Sequence, residues 1–229
     1  MLLGGLQKLT LLDFPGHVAC TVFTLGCNFR CPFCHNAPLV LTEDTPQYDV
    51  EEFFRFLATR KGLLDGVAVT GGEPLLQKDI ASFLRRIRDM GFAVKLDTNG
   101  SRPQVLRSLV EQKLVDYVAM DVKNAREKYA LTCGCEADLP AVEESMAFLK
   151  TGIVPFEFRT TAVRELHTEE DFQKIGQWIA PCENYFIQQF RTSENLLRPG
   201  FTAPSNETME RFLLSVREWI PTAQLRGVS

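Results

Sequence analysis

One stretch decides the fold: Val18-Ala19-Cys20-Thr21-Val22-Phe23-Thr24-Leu25-Gly26-Cys27-Asn28-Phe29-Arg30-Cys31-Pro32-Phe33-Cys34. Its first seven residues are β-branched, aromatic or small, which predicts a buried strand over residues 18–24. Gly26 follows the strand, and the loop after it carries cysteines in the spacing CxxxCxxC. We therefore expect three thiols at the carboxyl end of the first strand of the core.

The three cysteines, Cys27, Cys31 and Cys34, are close enough in sequence to converge on one small inorganic centre. A cubane [4Fe–4S] cluster normally takes four cysteines, so three would leave one iron open to a ligand that is not protein. A structural zinc site is an alternative, but it usually needs four ligands and paired CxxC turns, and His35 is too close to complete it. A disulfide and a chance clustering among the seven cysteines also stay open.

Composition and charge are those of an ordinary globular chain. The 229 residues are 45% hydrophobic and 24% charged, with a net charge of −4 and no long basic run, so we expect no nucleic-acid partner. The apolar N-terminus is interrupted by glycines, Lys8 and Asp13 and lacks the pattern of a signal peptide. No stretch approaches the roughly 20 apolar residues of a membrane span. We expect no membrane partner and a cytoplasmic location, which suits reduced thiols.

Strand-like and helix-like segments alternate from residue 17 to residue 190. Helix caps are predicted at Asp49 and Thr168, and a last helix is predicted at roughly 206–219, with a short tail strand near 224–227. The six predicted core strands cover residues 18–24, 66–70, 93–97, 117–122, 155–161 and 185–190.

This alternation predicts an α/β fold with parallel strands, namely a partial, TIM-like (β/α)6 barrel followed by a C-terminal helix. We expect a single domain over residues 1–229, with its core at about 17–190 and the C-terminal helix and tail at 191–229. A flat doubly wound sheet is the alternative, but the chain lacks the GxGxxG turn expected after its first strand.

The second predicted strand ends in Thr70-Gly71-Gly72-Glu73-Pro74. Ligands bind at the carboxyl ends of parallel strands, so this turn and the cysteine loop should lie on the same face. Two glycines allow backbone carbonyls to approach a ligand without interference from a Cβ atom. An ordinary tight turn is the alternative interpretation.

With this turn after a CxxxCxxC loop, the chain resembles the radical S-adenosylmethionine (SAM) superfamily. The resemblance implies that Cys27, Cys31 and Cys34 hold a [4Fe–4S] cluster, and that SAM chelates its fourth iron. It implies one-electron cleavage of SAM to a 5′-deoxyadenosyl radical. The residues that it places against SAM are Phe33, along the adenine, and Gly71, Gly72 and Glu73, whose carbonyls accept hydrogen bonds from the amino group.

Further motifs resemble the activating enzymes of glycyl-radical enzymes, and in particular the activating proteins of anaerobic ribonucleoside-triphosphate reductase. The likeness runs from Gly5 to about Phe190 and implies a radical SAM oxidoreductase that takes a hydrogen from one glycine of a partner glycyl-radical enzyme. The motifs are Asp13-Phe14-Pro15-Gly16, His35-Asn36, Asp97-Thr98-Asn99-Gly100 and Asp121-Val122-Lys123.

The same resemblance implies roles for polar residues at the strand ends. Asp97, Thr98 and Asp121 match residues around a monovalent cation beside SAM, with a helix cap at Asp97 and a solvated strand end at Asp121 as alternatives. Arg159 fits an arginine near the SAM carboxylate, unless it forms a surface ion pair. The remaining matches are Asn99 beside the cofactor, Lys123 near the substrate or the sulfonium, and Asp13 and His35 facing the substrate.

Two departures from that pattern affect the expected site. Related activases place a SAM-contacting histidine after the sixth strand, where this chain has Gln188-Gln189-Phe190-Arg191, so Gln189 or Arg191 is expected to replace it. Some activases also carry a ferredoxin-like insertion, but only 36 residues separate Cys34 from Gly71 and none is cysteine, so we expect one cluster. The reductant implied by the resemblance is a flavodoxin or a ferredoxin.

Two other functions stay open. A radical SAM enzyme for a small molecule, similar to 7-carboxy-7-deazaguanine synthase, would use the same cluster on a similarly short barrel. A non-catalytic electron carrier or zinc-binding module is an alternative from another class, although the glycine turn and the missing fourth cysteine argue against it.

The other cysteines are expected to be structural. Cys20 lies in the middle of a strand and is predicted to be a small buried hydrophobe. Cys133-Gly134-Cys135 has CxC spacing, but Cys182 is distant, so we predict no second metal site and no effect of Cys133→Ala on the cluster.

Overall fold

The computed structural model describes residues 1–42, 45–193 and 195–228, and it contains one sheet of eight strands. The strands lie side by side in the order of the sequence. β1 is antiparallel to β2, and every later strand is parallel to the strand before it. The strands are β1 (Leu3–Thr10), β2 (Ala19–Thr24), β3 (Gly66–Gly71), β4 (Ala93–Thr98), β5 (Tyr117–Asp121), β6 (Phe156–Ala162), β7 (Tyr185–Gln189) and β8 (Gln224–Arg226).

Helices join the parallel strands and pack on one side of the sheet. The helix Ile80–Asp89 buries an apolar stripe formed by Ile80, Phe83, Leu84 and Ile87. In the part of the chain described, no helix is long and apolar enough to cross a membrane. The α-helices of the described residues are α1 (Ala37–Leu41), α2 (Val50–Ala58), α3 (Ile80–Asp89), α4 (Pro103–Glu111), α5 (Tyr129–Cys133), α6 (Leu139–Leu149), α7 (Glu169–Ile179) and α8 (Asn206–Arg217).

Both predicted helix caps are present. The Asp49 carboxylate accepts a hydrogen bond from Glu52 N at 2.6 Å at the start of α2. At the start of α7, Thr168 and Asp171 each accept a bond from the other's backbone N–H and so form a capping box. These caps fix where the two helices begin and so set the lengths of the loops that precede them.

The predicted parallel, partial barrel is confirmed, because seven parallel strands follow one another and no pairing among the described residues joins β8 back to β1. The doubly wound alternative is wrong, since its strand order would reverse at a switch point. Two strands extend the predicted six. The tail strand, β8, was expected, whereas β1 was not, because Gly4, Gly5 and Lys8 interrupt its apolar pattern.

The two faces of the sheet differ in chemistry because successive strand residues point to opposite sides. Val94 and Leu96 of β4 belong to the buried hydrophobic core shared with the helices. Lys95 and Asp97 alternate with them and point inside the barrel, where Asp97 lines a cavity. The inside of the barrel is therefore polar, and it opens at the carboxyl ends of the strands.

Candidate active site

A cavity of about 670 Å³ lies at the carboxyl ends of the parallel strands. Its size is in the usual range for small-molecule and cofactor sites. Every site residue predicted from the sequence lies in its wall, although their roles remain predictions. These residues are Asp13, Cys27, Cys31, Phe33, Cys34, His35, Gly71, Gly72, Glu73, Asp97, Thr98, Asn99, Asp121, Lys123, Arg159, Gln189 and Arg191.

The cysteine loop is held in place by backbone hydrogen bonds from three directions. Gly26 N donates to Leu39 O at 2.7 Å, and Arg198 N donates to Pro32 O at 2.9 Å. Arg30 N donates to Cys133 O at 2.8 Å. Two of these partners lie more than 90 residues away in sequence, so the loop is anchored by the fold and does not depend on a bound ligand for its contacts.

The three thiols differ in their surroundings. Burial raises the pKa of Cys27 to about 12 and also raises the pKa of Cys34. A hydrogen bond with the buried thiol of Cys133 lowers the pKa of Cys31. Among the described residues, no three His, Cys, Asp or Glu side chains are close enough together to hold a single metal ion. The thiols instead line the wall of one large cavity.

An aromatic wall stands beside the third cysteine. The Phe33 ring meets the Phe190 ring edge-on, with 6.3 Å between the ring centroids. The His35 ring meets the same phenylalanine edge-on at 4.9 Å, and burial lowers the pKa of His35. Phe190 also lines the cavity. A flat ring such as adenine could pack against this wall through stacking contacts.

The glycines of the 71–72 turn are required by the protein's own backbone. Gly71 has φ +111°, and a Cβ at Gly72 would lie 2.0 Å from Gly26 O. Two hydrogen bonds cross this close approach, from Gly72 N to Thr24 O at 2.9 Å and from Glu73 N to Gly26 O at 2.8 Å. The sequence interpretation attributed the glycines to ligand access, with an ordinary tight turn as the alternative, and the structure adds a close contact between the ends of β2 and β3.

Glu73 links this turn to the end of β4 through hydrogen bonds. Its buried carboxylate accepts hydrogen bonds from Leu75 N at 3.0 Å, Thr98 Oγ1 at 2.8 Å and Asn99 N at 2.7 Å. Burial raises the pKa of Glu73 to about 7, despite these three donors. The Asn99 amide then donates to Asn28 Oδ1 at 3.0 Å in the cysteine loop. The glycine turn, the β4 end and the cysteine loop thus form one connected network.

A buried network of charges fills the barrel below the cysteine loop. Arg159 lies between two carboxylates, with Nη1 3.2 Å from Asp97 Oδ2 and Nε 3.1 Å from Asp121 Oδ1. Lys95 pairs with Asp97, and Lys123 Nζ donates to Asp121 Oδ2 at 2.8 Å. Burial alone would raise the pKa of Asp121, but Lys123 and Arg159 outweigh it and lower that pKa to about 2.

These contacts correct three of the alternative interpretations. Asp97 does not cap a helix, because its carboxylate is occupied by Lys95 and Arg159 inside the barrel. Asp121 is not a solvated strand end, since it is paired with Lys123 and Arg159. Arg159 is not in a surface ion pair, since only 14% of its side chain is exposed. The guanidinium faces two carboxylates of the protein.

The residues at the rim of the cavity are held in different ways. Asp13 accepts a hydrogen bond from Thr21 Oγ1 at 2.5 Å, beside Leu12, which is 89% exposed. The Gln189 amide donates to Pro204 O at 2.9 Å and to Asn206 Oδ1 at 3.1 Å. These bonds occupy the Gln189 amide nitrogen, and Arg191 lines the same cavity.

Two parts of the site were missed by sequence reasoning. Arg226 of β8 lines the cavity and forms two hydrogen bonds, of 2.7 and 2.9 Å, with the buried Glu157 carboxylate. The CxC turn lies directly on the cysteine loop, through the contact of Cys133 with Arg30. Period-two alternation could have placed Glu157 inside the barrel two residues before Arg159, but no local signal connects residue 133 with residue 30.

Comparison with known proteins now identifies the family. Residues 21–178 match the family model described as the radical SAM superfamily. A protein of Methanocaldococcus jannaschii, named provisionally as a glycyl-radical enzyme activating enzyme, is 36% identical over 198 residues, covering 84% of this chain and 81% of its own. The pyruvate formate-lyase-activating enzyme of Listeria monocytogenes is 25% identical over 191 residues, covering 79% and 76%. The chain therefore belongs to the radical SAM superfamily, within its group of glycyl-radical-enzyme activating enzymes.

The fold agrees with this assignment. A solved structure of SuiB from Streptococcus suis bound to S-adenosylmethionine superposes with a TM-score of 0.70 at 14% identity. The match covers 89% of this chain and 49% of SuiB. Membership of the family implies a [4Fe–4S] cluster and SAM. The residues present fit both groups, because three thiols, an aromatic wall and a glycine turn border one cavity.

Proposed function

We propose that the protein cleaves SAM reductively and generates a glycyl radical on a partner enzyme, anaerobic ribonucleoside-triphosphate reductase. The observation that carries the proposal is the single cavity, which gathers the thiols, the glycine turn and the charge network in one wall. Bound together, a reduced cluster and SAM supply a 5′-deoxyadenosyl radical that takes a hydrogen atom from the glycine Cα. The similarity to a named activating enzyme over 84% of the chain supports a protein substrate.

The chain's own residues then have the following roles in the proposal. Cys27, Cys31 and Cys34 hold the cluster, and the carbonyls of the 71–73 turn accept hydrogen bonds from the SAM amino group. Phe33 packs along the adenine, Asn99 lies beside the cofactor, and Arg159 lies near the SAM carboxylate. Gln189 or Arg191 takes the place of the SAM-contacting histidine of related activases. Lys123 lies near the sulfonium or the substrate, and Asp13 and His35 face the substrate.

Exposed apolar residues at the rim of the cavity favour the binding of a protein segment there. Leu12 lines the cavity and is 89% exposed, and Leu11 next to it is 69% exposed. Adjacent apolar side chains that are exposed to solvent, when they form a contiguous patch, mark surfaces that bind another protein. A glycine-bearing loop of the partner would pass over these leucines and bring its Cα–H into the cavity between Asp13 and His35.

A monovalent cation beside SAM is a further part of the proposal. Asp97, Thr98 and Asp121 would supply oxygen ligands, which hard cations prefer. Arg159 already lies between the two carboxylates, so a cation would share them with the guanidinium. Exchanging potassium for choline should weaken SAM binding, and an unchanged dissociation constant would remove the cation from the proposal.

Three more features complete the proposal. A flavodoxin or a ferredoxin would supply the electron for the single [4Fe–4S] cluster that Cys27, Cys31 and Cys34 would hold. The protein works in the cytoplasm, where its thiols remain reduced. The whole chain acts as one catalytic domain without a nucleic-acid or membrane partner.

The test is electron paramagnetic resonance of the partner. The reconstituted protein, SAM and dithionite should produce a glycine-centred doublet on the reductase under anaerobic conditions. A Cys31→Ala variant, and a reductase with its radical glycine replaced by alanine, should give no doublet. If 5′-deoxyadenosine is released but no doublet forms, the partner assignment is wrong, and a small-molecule substrate like that of 7-carboxy-7-deazaguanine synthase becomes the better hypothesis.

A further inference from the structure

The chain leaves the sheet at Lys123, and side chains from other elements hold its backbone there. Val122 N still donates to Arg159 O of β6 at 2.7 Å. The Val122 carbonyl accepts a hydrogen bond from Thr160 Oγ1, also at 2.7 Å. One residue later, the Lys123 carbonyl lies 2.9 Å from His167 Nε2. This last contact joins the end of β5 to the segment that directly precedes α7.

The contacts of His167 define which ring nitrogen carries the proton. Val163 N donates to Nδ1 at 3.1 Å, so Nδ1 is an acceptor and the proton lies on Nε2. A proton on Nδ1 could reach Val163 O at 3.3 Å, but it would place two acceptors, Nε2 and Lys123 O, 2.9 Å apart. Burial lowers the pKa of His167, which favours the neutral ring that this arrangement requires. His167 therefore donates to the Lys123 carbonyl.

The Lys123 side chain extends from this fixed backbone into the wall of the cavity. Its Nζ donates to Asp121 Oδ2 at 2.8 Å, and 18% of the side chain is exposed. A lysine stem is long and flexible, so the position of the ammonium depends on where the backbone is held. The His167 ring is buried and packs against Phe172, with 5.6 Å between the ring centroids. The described residues that line the cavity do not include His167, so it can act there only through Lys123.

We propose that His167 is a positioning residue of the active site, whose Nε2–H holds the Lys123 carbonyl and so keeps the Lys123 ammonium beside Asp121 in the cavity wall. No covalent bond is made or broken, and the proton stays on Nε2. A neutral imidazole suits this place because it donates from one nitrogen and accepts at the other. The inference rests on the proposed function only for the role of Lys123 near the sulfonium or the substrate.

The first test measures how well the Lys123 ammonium is protected from solvent. The reconstituted protein would be methylated reductively with formaldehyde and a borane, and the rate of labelling at Lys123 would be followed by mass spectrometry. His167→Phe keeps a flat ring but removes the donor, and it should raise this rate several-fold. His167→Gln keeps an amide N–H that can donate to the same carbonyl, and it should stay within about twofold of the native rate.

Lys128 is an internal control in the same labelled protein. Its Nζ lies 2.6 Å from Oδ2 of Asp171, the residue that completes the capping box of α7. A general loosening of α7 would raise the labelling rates at Lys128 and Lys123 together, whereas loss of the donor should raise the rate at Lys123 alone. The matched control variant is His17→Phe, at a histidine that stacks on Phe14, and it should leave both rates unchanged.

The second test connects the position of Lys123 with the chemistry. Reconstituted variants with SAM and dithionite, but without a partner, would be assayed for 5′-deoxyadenosine. His167→Phe should lower the rate several-fold in the native background and by less than about twofold in a Lys123→Met background, because both changes remove the same contribution. An unchanged rate for Lys123→Met itself would contradict the role of Lys123 in the proposed function, and the labelling rates would then decide the positioning role alone.

Three labelling results would overturn the proposal. They are an unchanged rate at Lys123 in His167→Phe, an equal rise at Lys128, and a rate in His167→Gln as high as in His167→Phe. If His167→Phe does not fold, the native protein still provides a test. The chain has three histidines, so the ring nitrogen resonances of isotope-labelled His167 can be assigned by their absence from the His167→Gln spectrum. We expect a proton on Nε2 alone at neutral pH, and a proton on Nδ1 would overturn the proposal.

Discussion

Replacement of Gly72 by alanine probes the contact on which the geometry of the site depends. The new Cβ would lie 2.0 Å from Gly26 O, where a carbon and an oxygen normally approach to about 3.3 Å. The Cβ is fixed rigidly to the backbone of residue 72 and Gly26 O is itself a backbone atom, so no flexible side chain can move away. The ends of β2 and β3 would have to separate by about 1.3 Å.

The energetic cost follows from the two hydrogen bonds that cross the same gap. Glu73 N–Gly26 O, now 2.8 Å, would lengthen to about 4 Å, beyond the limit of a hydrogen bond, and Gly72 N–Thr24 O would be strained with it. Each lost bond costs about 1 kcal/mol, and more if its buried donor stays without a partner. We therefore expect a loss of about 2–4 kcal/mol in the free energy of unfolding, or about 4–16 °C in melting temperature for a chain of this length.

Thermal unfolding and anaerobic SAM binding measure both consequences. Gly72→Ala should lower the melting temperature and weaken SAM binding together, because the displaced turn carries the proposed contacts to the amino group. Gly5→Ala is the control, since a Cβ there meets no atom within 4 Å and the backbone is not left-handed. It should leave stability unchanged or slightly raised. Native-like stability and affinity for Gly72→Ala would refute the close-contact reasoning.

Two further predictions concern charge. Arg159→Lys keeps the charge but cannot bridge Asp97 and Asp121, so denaturant unfolding should show a loss of about 1.5–3 kcal/mol in the free energy of unfolding. The control is Arg107→Lys, in a surface pair, which should change this free energy little. Equal stabilities of the two variants would contradict the bridging role of Arg159. Burial lowers the pKa of His167, so below pH 6.5 the unfolded chain binds a proton that the folded chain does not. The free energy of unfolding should fall as pH is lowered, by up to about 1.4 kcal/mol per pH unit. The His167→Gln variant should show a weaker dependence of this free energy on pH. The same dependence in the native and variant proteins would contradict a role for His167 in the pH dependence.

The fold could be predicted where one strand or helix obeys its own local pattern. The strands β2 to β7 follow from β-branched runs between turns, and the starts of α2 and α7 follow from their caps. β1 could not be predicted, because its glycines and Lys8 obscure the alternation. Its place as the antiparallel first strand depends on pairing with β2, which is a long-range contact that no window of sequence contains.

The candidate site could be predicted through one rule of topology, that the carboxyl ends of parallel strands meet at one edge. That rule brought Cys27, Gly71, Asp97 and Asp121 together, and the cavity contains all four. The rule does not predict which atoms the side chains of those residues contact. Arg159 turned out to bridge two carboxylates of the protein, because burial of charge demands a partner close by.

The CxC turn marks the limit of the sequence-based approach. Cys133 and Arg30 are about a hundred residues apart, and the hydrogen bond from Arg30 N to Cys133 O depends on where α5 ends relative to the loop. Spacing predicts ligands that are close in sequence, whereas residues that support those ligands from other elements are visible only in three dimensions. The support that Cys133 O gives to the backbone of the cysteine loop is therefore visible only in the structure.

The most direct test of the central claim is the transfer of deuterium. The partner reductase would be prepared with glycine deuterated at Cα, and 5′-deoxyadenosine formed with the reconstituted protein and SAM would be analysed by mass spectrometry. We predict that 5′-deoxyadenosine gains one deuterium for each glycyl radical formed, and none when the reductase lacks its radical glycine. Release of unlabelled 5′-deoxyadenosine at the same rate with or without the labelled partner would contradict the claim that a protein glycine is the substrate.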